Sequence, residues 1–263
     1  MSAIKYEGIK FNSSGKEKVL DYLAKEIPLQ IKVNDDIFSI TLRSPGNDEE
    51  LVKGLLFAED VLSDINAIDF KHSKNEESLL DEICVITPKS NINKNFSNSR
   101  NLLSATSCGI CGKTSLNEHN GNLVSNSNAK ISTKKLLEMF AIMQKEQATF
   151  HKSGGSHAAA SFNYEGELLS LREDVGRHNA VDKVIGDLLN KKLLNQANVL
   201  LLSGRISYEL VSKCFKAKIP ILAAISAPTT LAVDFAKELG ICLLGFSRND
   251  KATCYAHPEK IIF

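Results

Sequence analysis

The chain lacks tryptophan, and it lacks any apolar run long enough to cross a bilayer. A spanning helix needs about 20 apolar residues. The longest run here, Ile219 to Ala227, is about half that and is interrupted by Pro220 and Ser226. No apolar stretch follows Met1-Ser2-Ala3-Ile4-Lys5, so no secretory leader is read, and a cytoplasmic, reducing setting is the expectation. An excess of either charge is missing too: 32 basic residues against 31 acidic leave a net +1. That balance excludes the broad basic footprint of a nucleic-acid binder, although a small basic pocket stays open. A second cysteine pair is also absent. Of the six cysteines, Cys84, Cys108, Cys111, Cys214, Cys242 and Cys254, just Cys108 and Cys111 are close in sequence. A disulfide framework belongs to small secreted chains, and this chain is expected to be neither.

What is present is an ordinary globular composition, 43% hydrophobic and 24% charged over 263 residues. That length suits one large domain or two modest ones at roughly 100–200 residues each. Residues 29–33 and 37–42 alternate apolar and polar side chains around Asn34-Asp35-Asp36, which predicts a hairpin. Asn47 with Glu50 resembles a capping box, opening a helix through Leu51, Val52, Leu55 and Leu56. A further strand is expected at 83–86. Residues 87–107 are rich in Asn, Ser and Lys and read as a mobile loop, as does 117–132. From Lys134 the pattern sharpens. Leu136, Met139, Phe140 and Met143 have helical spacing, and 158–162 and 168–171 read as strands around a turn. Three short apolar strands, 199–202, 221–225 and 241–245, then alternate with helices marked by Val181 to Leu188, Ile206 to Cys214 and Ala232 to Leu239. This alternation predicts a parallel sheet covered on both faces. The fold class is α/β, with a smaller α+β domain over 1–130 and an α/β domain over 131–263.

Three features could carry chemistry. The sharpest is Cys108-Gly109-Ile110-Cys111-Gly112, set between polar stretches. A zinc site, a thioredoxin-like dithiol and a mobile nucleophile carrying a group such as persulfide sulfur all use such a pair. Zinc would need further ligands at set spacing, and a dithiol would need a strand before it and a helix after it. The bland alternative is two incidental cysteines in a turn, which is unusual because free cysteine is most often buried.

The second feature is a set of strand-end turns: Ser203-Gly204-Arg205-Ile206-Ser207, Ser226-Ala227-Pro228-Thr229-Thr230 and Phe246-Ser247-Arg248-Asn249-Asp250-Lys251. Free N–H groups where helices begin favour an anion, and Arg205, Arg248 and Lys251 add positive charge. Ligands of open α/β sheets sit outside the carboxyl ends of the strands. Plain capping by Ser and Thr accounts for either of the first two turns alone; three together point to a nucleotide or phosphate. The third feature is Gly154-Gly155-Ser156-His157 with the polar cluster Arg172 to Asn179. There Asp174, Arg177 and His178 could bind a polar ligand or orient a loop, whereas a lone histidine such as His157 is more often structural.

Taken in order, Ser-Cys-Gly-Ile-Cys-Gly, Gly-Gly-Ser-His, Glu-Asp-Val-Gly-Arg-His-Asn-Ala-Val-Asp-Lys, Ser-Gly-Arg-Ile-Ser, Ala-Pro-Thr and Gly-Phe-Ser-Arg resemble the FdhD family. Ser44 to Leu51 and Gly54-Leu55-Leu56 resemble it too, so the likeness runs from about Pro28 to Pro258. The resemblance implies a sulfur carrier, a sulfurtransferase required for formate dehydrogenase activity. Persulfide sulfur would come from a cysteine desulfurase. It would pass to a molybdenum (or tungsten) cofactor bound as substrate, the bis(molybdopterin guanine dinucleotide). Cys108 would carry the persulfide and Cys111 would assist, while Phe246 to Lys251 would bind the cofactor. The resemblance further implies a homodimer and a cytidine-deaminase-like α/β/α fold for the C-terminal domain. It does not imply deaminase chemistry, because the H-x-E and P-C-x-x-C zinc pattern is absent and Ala158-Ala159 follow His157. No structural metal is expected. Two departures from the family pattern are Ala58-Glu59-Asp60 after the first helix and the extra Cys254. The rival reading is a non-catalytic chaperone for the cofactor or the dehydrogenase.

Overall fold

The computed structural model describes residues 2–74, 80–93, 130–248 and 250–262. The first element is one the sequence reading did not foresee. Strands β1 (Ala3–Asn12) and β2 (Gly15–Ala24) form an antiparallel ribbon. Lys16-Glu17-Lys18 breaks the alternation that would have marked β2. The hairpin over 29–42 does form, as β3 (Ile27–Val33) and β4 (Asp36–Arg43). Helix α1 (Asp48–Ala58) follows, then β5 (Asp69–Lys74) and β6 (Asp81–Ile86). The small sheet has the order β4-β3-β6-β5. Leu51, Val52 and Leu56 of α1 bury against Leu29, Ile31, Val33, Ile83 and Val85 on its inner face. The expected capping box is not made. Asn47 takes a left-handed φ of 57°, and its side chain caps no backbone N–H. A left-handed cap cannot fold its side chain back over the first turn as an extended one does. Its Nδ2 donates instead to Glu50 Oε1 at 3.3 Å.

Residues 87–93, read as the start of a loop, are anchored. The buried Asn91 side chain donates to Asp64 O at 2.9 Å and to Thr87 Oγ1 at 2.8 Å, and accepts from Asp64 N. The rest of that expected loop, the start of the next up to residue 129, and the CxxC lie outside the described residues. The second loop ends in structure: β7 (Ile131–Ser132) leads into α2 (Thr133–Lys145), whose Lys135 N–H is capped by Ser132 Oγ.

After α2 come α3 (Ala148–Ser153), β8 (His157–Phe162), β9 (Leu168–Asp174), α4 (Arg177–Asn190), β10 (Val199–Leu202), α5 (Tyr208–Lys216) and β11 (Ile221–Ala224). Helix α6 (Thr230–Leu239), β12 (Cys242–Arg248), β13 (Lys251–Ala256) and β14 (Ile261–Ile262) complete the chain. The large sheet runs β13-β12-β11-β10-β8-β9. Its faces follow from side-chain alternation. Leu200, Leu202, Leu222, Ala224 and Leu243 face α4, α5 and α6, whereas Val199, Leu201, Ile221, Ala223 and Leu244 face α2. Both faces are covered, as expected, but the sheet is mixed. Just β10, β11 and β12 are parallel. β8 is joined to β9, and β12 to β13, by turns too short for a crossover, so β9 and β13 run antiparallel to their partners. Helix α5 starts at Tyr208 rather than Ile206, because Ile206 bridges to Pro228.

The two sheets meet where α1 crosses α4. A Cβ on Gly54 would lie 1.9 Å from Asp182 O, and one on Gly186 would lie 1.9 Å from Glu50 O. Each glycine thus admits the other helix's backbone. Replacing either by alanine forces the helices apart, and overpacking of this kind costs about 1–3 kcal/mol or more. Urea unfolding of Gly54→Ala and Gly186→Ala is expected to show a loss of at least that size. Gly166→Ala, at an open turn with φ of +95°, costs through strain alone and calibrates the comparison.

Candidate functional site

The site follows from the parallel centre of the sheet. The carboxyl ends of β10, β11 and β12 project three turns in the same direction, and backbone hydrogen bonds stitch them together. Ile225 N donates to Leu202 O (3.0 Å), Ile206 N to Ala227 O (3.1 Å), Thr229 N to Ile206 O (2.9 Å) and Phe246 N to Ser226 O (3.1 Å). The third turn fits because Gly245 has no side chain: a Cβ there would sit 2.6 Å from Pro228 Cδ. A bulge in β12 brings Phe246 to a left-handed φ of 53° with its ring 41% exposed. Non-glycine residues seldom adopt that conformation, and such strained positions cluster at functional sites.

Beside this rim lies a cleft of about 660 Å³. Its floor is His157, Ser203 and Ile225, and its wall comes from α2 and α3 through Gln144, Gln147, Phe150 and His151. Gly154-Gly155-Ser156 closes one end. Glu173 fixes that end by accepting from Thr149 N, Phe150 N and Ser156 Oγ at 2.7–2.8 Å. The His157 ring packs over Gly204, where a Cβ would come within 3.2 Å of Nδ1. Burial, with Arg177 and Arg205 nearby, holds His157 below the ordinary histidine range against a weaker pull from Asp174. The ring is therefore neutral at pH 7, and among the described residues it has no hydrogen-bond partner. Arg177 Nε is buried and equally unpartnered among them.

The residues singled out in the sequence divide into three groups. Arg205, Arg248 and Lys251 are exposed cations on the rim, with Asp250 beside them. Ser203, Ser226, Gly204 and Thr229 build the rim: Ser203 Oγ accepts from Ala158 N at 2.8 Å, Ser226 O holds Phe246, and Thr229 Oγ1 caps α6. Ser247 is buried, with its Oγ unpartnered among the described residues. Phe246 to Arg248 continue β12, and Lys251 opens β13, so the stretch is a strand–turn–strand and the strand expected to end at 245 is longer. Asn249, Cys108 and Cys111 lie outside the described residues. The Asp174 cluster resolves into structural ties. Asp174 accepts from Ser44 N, Gly176 N, Asn179 Nδ2 and Lys183 Nζ, while His178 faces Ser207 Oγ at 3.1 Å and Glu209 at 3.7 Å. The α2–α3 wall escaped the sequence reading, because the helical pattern marks just the core side of α2. Among the described residues no cluster of three His, Cys, Asp or Glu side chains is placed to hold a metal, and no helix is long and apolar enough to cross a membrane.

A model of the FdhD/NarQ family matches residues 24–262. The chain belongs to the FdhD/NarQ family. A sulfur carrier protein FdhD from Sulfolobus acidocaldarius is 42% identical over 242 residues, covering 92% of this chain and 91% of the relative. Another from Saccharolobus solfataricus is 38% identical, covering 98% and 97%, and one from Streptomyces coelicolor is 38% identical, covering 92% and 89%. Among solved structures, a candidate formate dehydrogenase accessory protein from Desulfotalea psychrophila matches with a TM-score of 0.77. At 22% identity, and with both chains covered in full, it supports the α/β fold. The FdhD/NarQ match begins at residue 24, so the β1–β2 ribbon precedes it almost entirely.

The contact that seats α4 behind the first rim turn of this FdhD/NarQ site, His178 against Ser207, is sensitive to pH. Burial, with help from Arg177 and Lys213, pushes His178 down to about 4 despite Glu209. Histidine in an unfolded chain titrates near 6.5. Below that pH the unfolded state takes up a proton that the folded state refuses, so the contribution is intact above about 6.5 and lost as pH falls towards 4. The full loss is on the order of 3 kcal/mol. Asp182 acts in the opposite sense. Burial raises its carboxyl to about 6, even though Lys213 Nζ is 2.5 Å away. Comparing wild type with His178→Gln cancels Asp182. The variant is expected to gain on the wild type progressively between pH 7 and pH 4.5 in urea unfolding; a pH-independent difference would refute the assignment.

Proposed function

We propose that this protein is a sulfurtransferase that moves persulfide sulfur from a cysteine desulfurase to the molybdenum (or tungsten) bis(molybdopterin guanine dinucleotide) cofactor on behalf of formate dehydrogenase. The observation that carries the reading is the stitched rim at the ends of β10, β11 and β12, with Arg205, Arg248 and Lys251 exposed along it. The stitched turns hold these exposed cations in fixed positions, and such cations suit the phosphates of a dinucleotide. The exposed Phe246 ring offers a stacking face to a guanine base, and the adjoining cleft is large enough for a nucleotide-sized group. The names of the three sequence relatives, each a sulfur carrier protein FdhD, favour the same reading.

In this reading Cys108 holds the sulfur as Cys–S–SH and Cys111 assists. Transfer breaks the S–S bond and forms a bond from the outer sulfur to the metal. The balance requires a metal that arrives two electrons reduced: it would give both to the outer sulfur, and that sulfur's proton would pass to Cys108 and restore the thiol. The large sheet with its helices is then a cytidine-deaminase-like unit serving as a binding platform, and the protein works in the cytoplasm as a homodimer.

Incubation with a cysteine desulfurase and cysteine is expected to add about one sulfur atom, roughly 32 Da, reducibly, to the Cys108 peptide. Cys108→Ser should lose that sulfur and the activation of formate dehydrogenase while keeping guanosine diphosphate affinity. Activation that survives the change would favour the chaperone. Separately, Arg248→Ala is expected to weaken guanosine diphosphate binding about tenfold by calorimetry, the scale of one charge-assisted hydrogen bond. Unchanged affinity would remove the case for the rim.

A further inference from the structure

Cys242 and Cys254 are far apart in sequence terms for a motif, yet β12 and β13 are antiparallel neighbours and their Sγ atoms lie 3.9 Å apart. Cys242 is fully buried in the layer beneath α2, among Ile221, Ala223 and Leu244. Cys254 is half-buried on β13, the edge strand of the large sheet. One thiol is thus reachable from solvent and the other waits behind it.

We propose that Cys254 and Cys242 form a reactive dithiol that a hydroperoxide closes to a disulfide, with Cys254 as the attacking sulfur and Cys242 as the resolving one. In the first step Cys254 Sγ attacks the peroxide, the O–O bond breaks, and the products are Cys254 sulfenic acid and an alcohol, or water from hydrogen peroxide. Cys242 Sγ then displaces the hydroxyl, which leaves as water with the Cys242 proton. Two thiols and one hydroperoxide give one disulfide, one alcohol and one water; sulfur is oxidised and peroxide oxygen reduced.

The protonation pattern has the direction this chemistry needs. The hydrogen bond from Cys242 lowers the Cys254 thiol to about 7, whereas that bond and burial push Cys242 up. The Cys242 donor thus favours the thiolate form of the half-buried Cys254 sulfur, which as a thiol donates to Ala256 O at 3.2 Å. The remaining described cysteines lack this arrangement. Burial raises Cys84, and Cys214 is enclosed in the opposite layer of the sheet with its thiol raised as well. Since β12 carries Phe246 and Arg248 and β13 begins at Lys251, the closed disulfide would tie the edge strand covalently behind the rim. The proposal does not depend on the sulfur-transfer reading.

The test uses the full reduced chain treated with hydrogen peroxide, then quenched, unfolded, alkylated and peptide-mapped. The expected product is a Cys242–Cys254 linked peptide, about 2 Da lighter than its two thiol halves and restored by dithiothreitol, with Cys84 and Cys214 still alkylated. Before oxidation, Cys254 should alkylate about tenfold faster than Cys84 at neutral pH. Cys242→Ser should trap a Cys254 sulfenic acid that dimedone labels, and Cys254→Ser should leave Cys242 reduced. A Cys254 that is oxidised no faster than Cys84, or that pairs with Cys108 or Cys111 instead, overturns the proposal. If either variant fails to fold, the wild-type map decides alone.

Discussion

Asp174 is completely buried, and its two carboxylate oxygens receive four donors: Ser44 N, Gly176 N, Asn179 Nδ2 and Lys183 Nζ. A buried charge is tolerable when it is both paired and hydrogen-bonded, and removing one partner from such a pair costs about 3–5 kcal/mol. What matters more is what the four donors belong to. Ser44 follows β4 of the small sheet, Asp174 ends β9 of the large one, and Asn179 and Lys183 ride on α4. Lys183 Nζ also donates to Ser44 O, and Asn179 Nδ2 to Leu42 O, both at 2.8 Å. One carboxylate therefore fixes the start of α4 against both sheets, and the Gly54 and Gly186 crossing of α1 over α4 follows from the same placement.

The electrostatic character of the cleft descends from that anchor. With α4 fixed at its first turn, Arg177 stands beside His157, and His178 reaches across to Ser207. Burial, with two arginines close by, keeps this imidazole neutral, so the floor of the cleft offers a hydrogen-bonding ring rather than a third cation. His178, behind the first rim turn, is neutral as well, because burial with Arg177 and Lys213 nearby holds it down. Exposed positive charge lies outside the cleft, on Arg205, Arg248 and Lys251 of the rim, where, on the proposed reading, phosphate groups would be met while partly solvated. A cleft that was cationic throughout would bind any anion; this one separates a charged rim from a neutral floor.

Sequence patterning revealed the elements whose environment is local. The alternation of β3 and β4 and the 3.6-residue spacing of α2 and α6 are each set by one buried face, and the unbroken apolar runs of β10 and β11 by burial on both, so each can be read along the chain. The strand-end turns were legible for the same reason, because Ser-Gly-Arg and Ala-Pro-Thr follow apolar strands directly. What stayed hidden is non-local. The direction of β13 depends on pairing with β12, the role of Asp174 depends on a loop 130 residues earlier, and the approach of Cys254 to Cys242 depends on a register shift next to Leu243 and Leu244. The Asn47 cap failed because a side chain with the right chemistry sits on a left-handed backbone, which residue type alone does not reveal.

The rim also shows why rigidity falls where it does. Its three turns are joined by main-chain hydrogen bonds rather than by side chains, and the close contact of Gly245 with Pro228 leaves no room for adjustment. Phe246 is held in an unfavourable backbone conformation that the paired strands on either side enforce. Such strain persists only where the surrounding structure over-determines it. On the proposed reading this is the half of the reaction that must not move. A large cofactor with several phosphates gains little from a yielding site, because each donor would have to be ordered on binding. A platform held this way is ordered before any ligand arrives, so binding to it costs little further ordering.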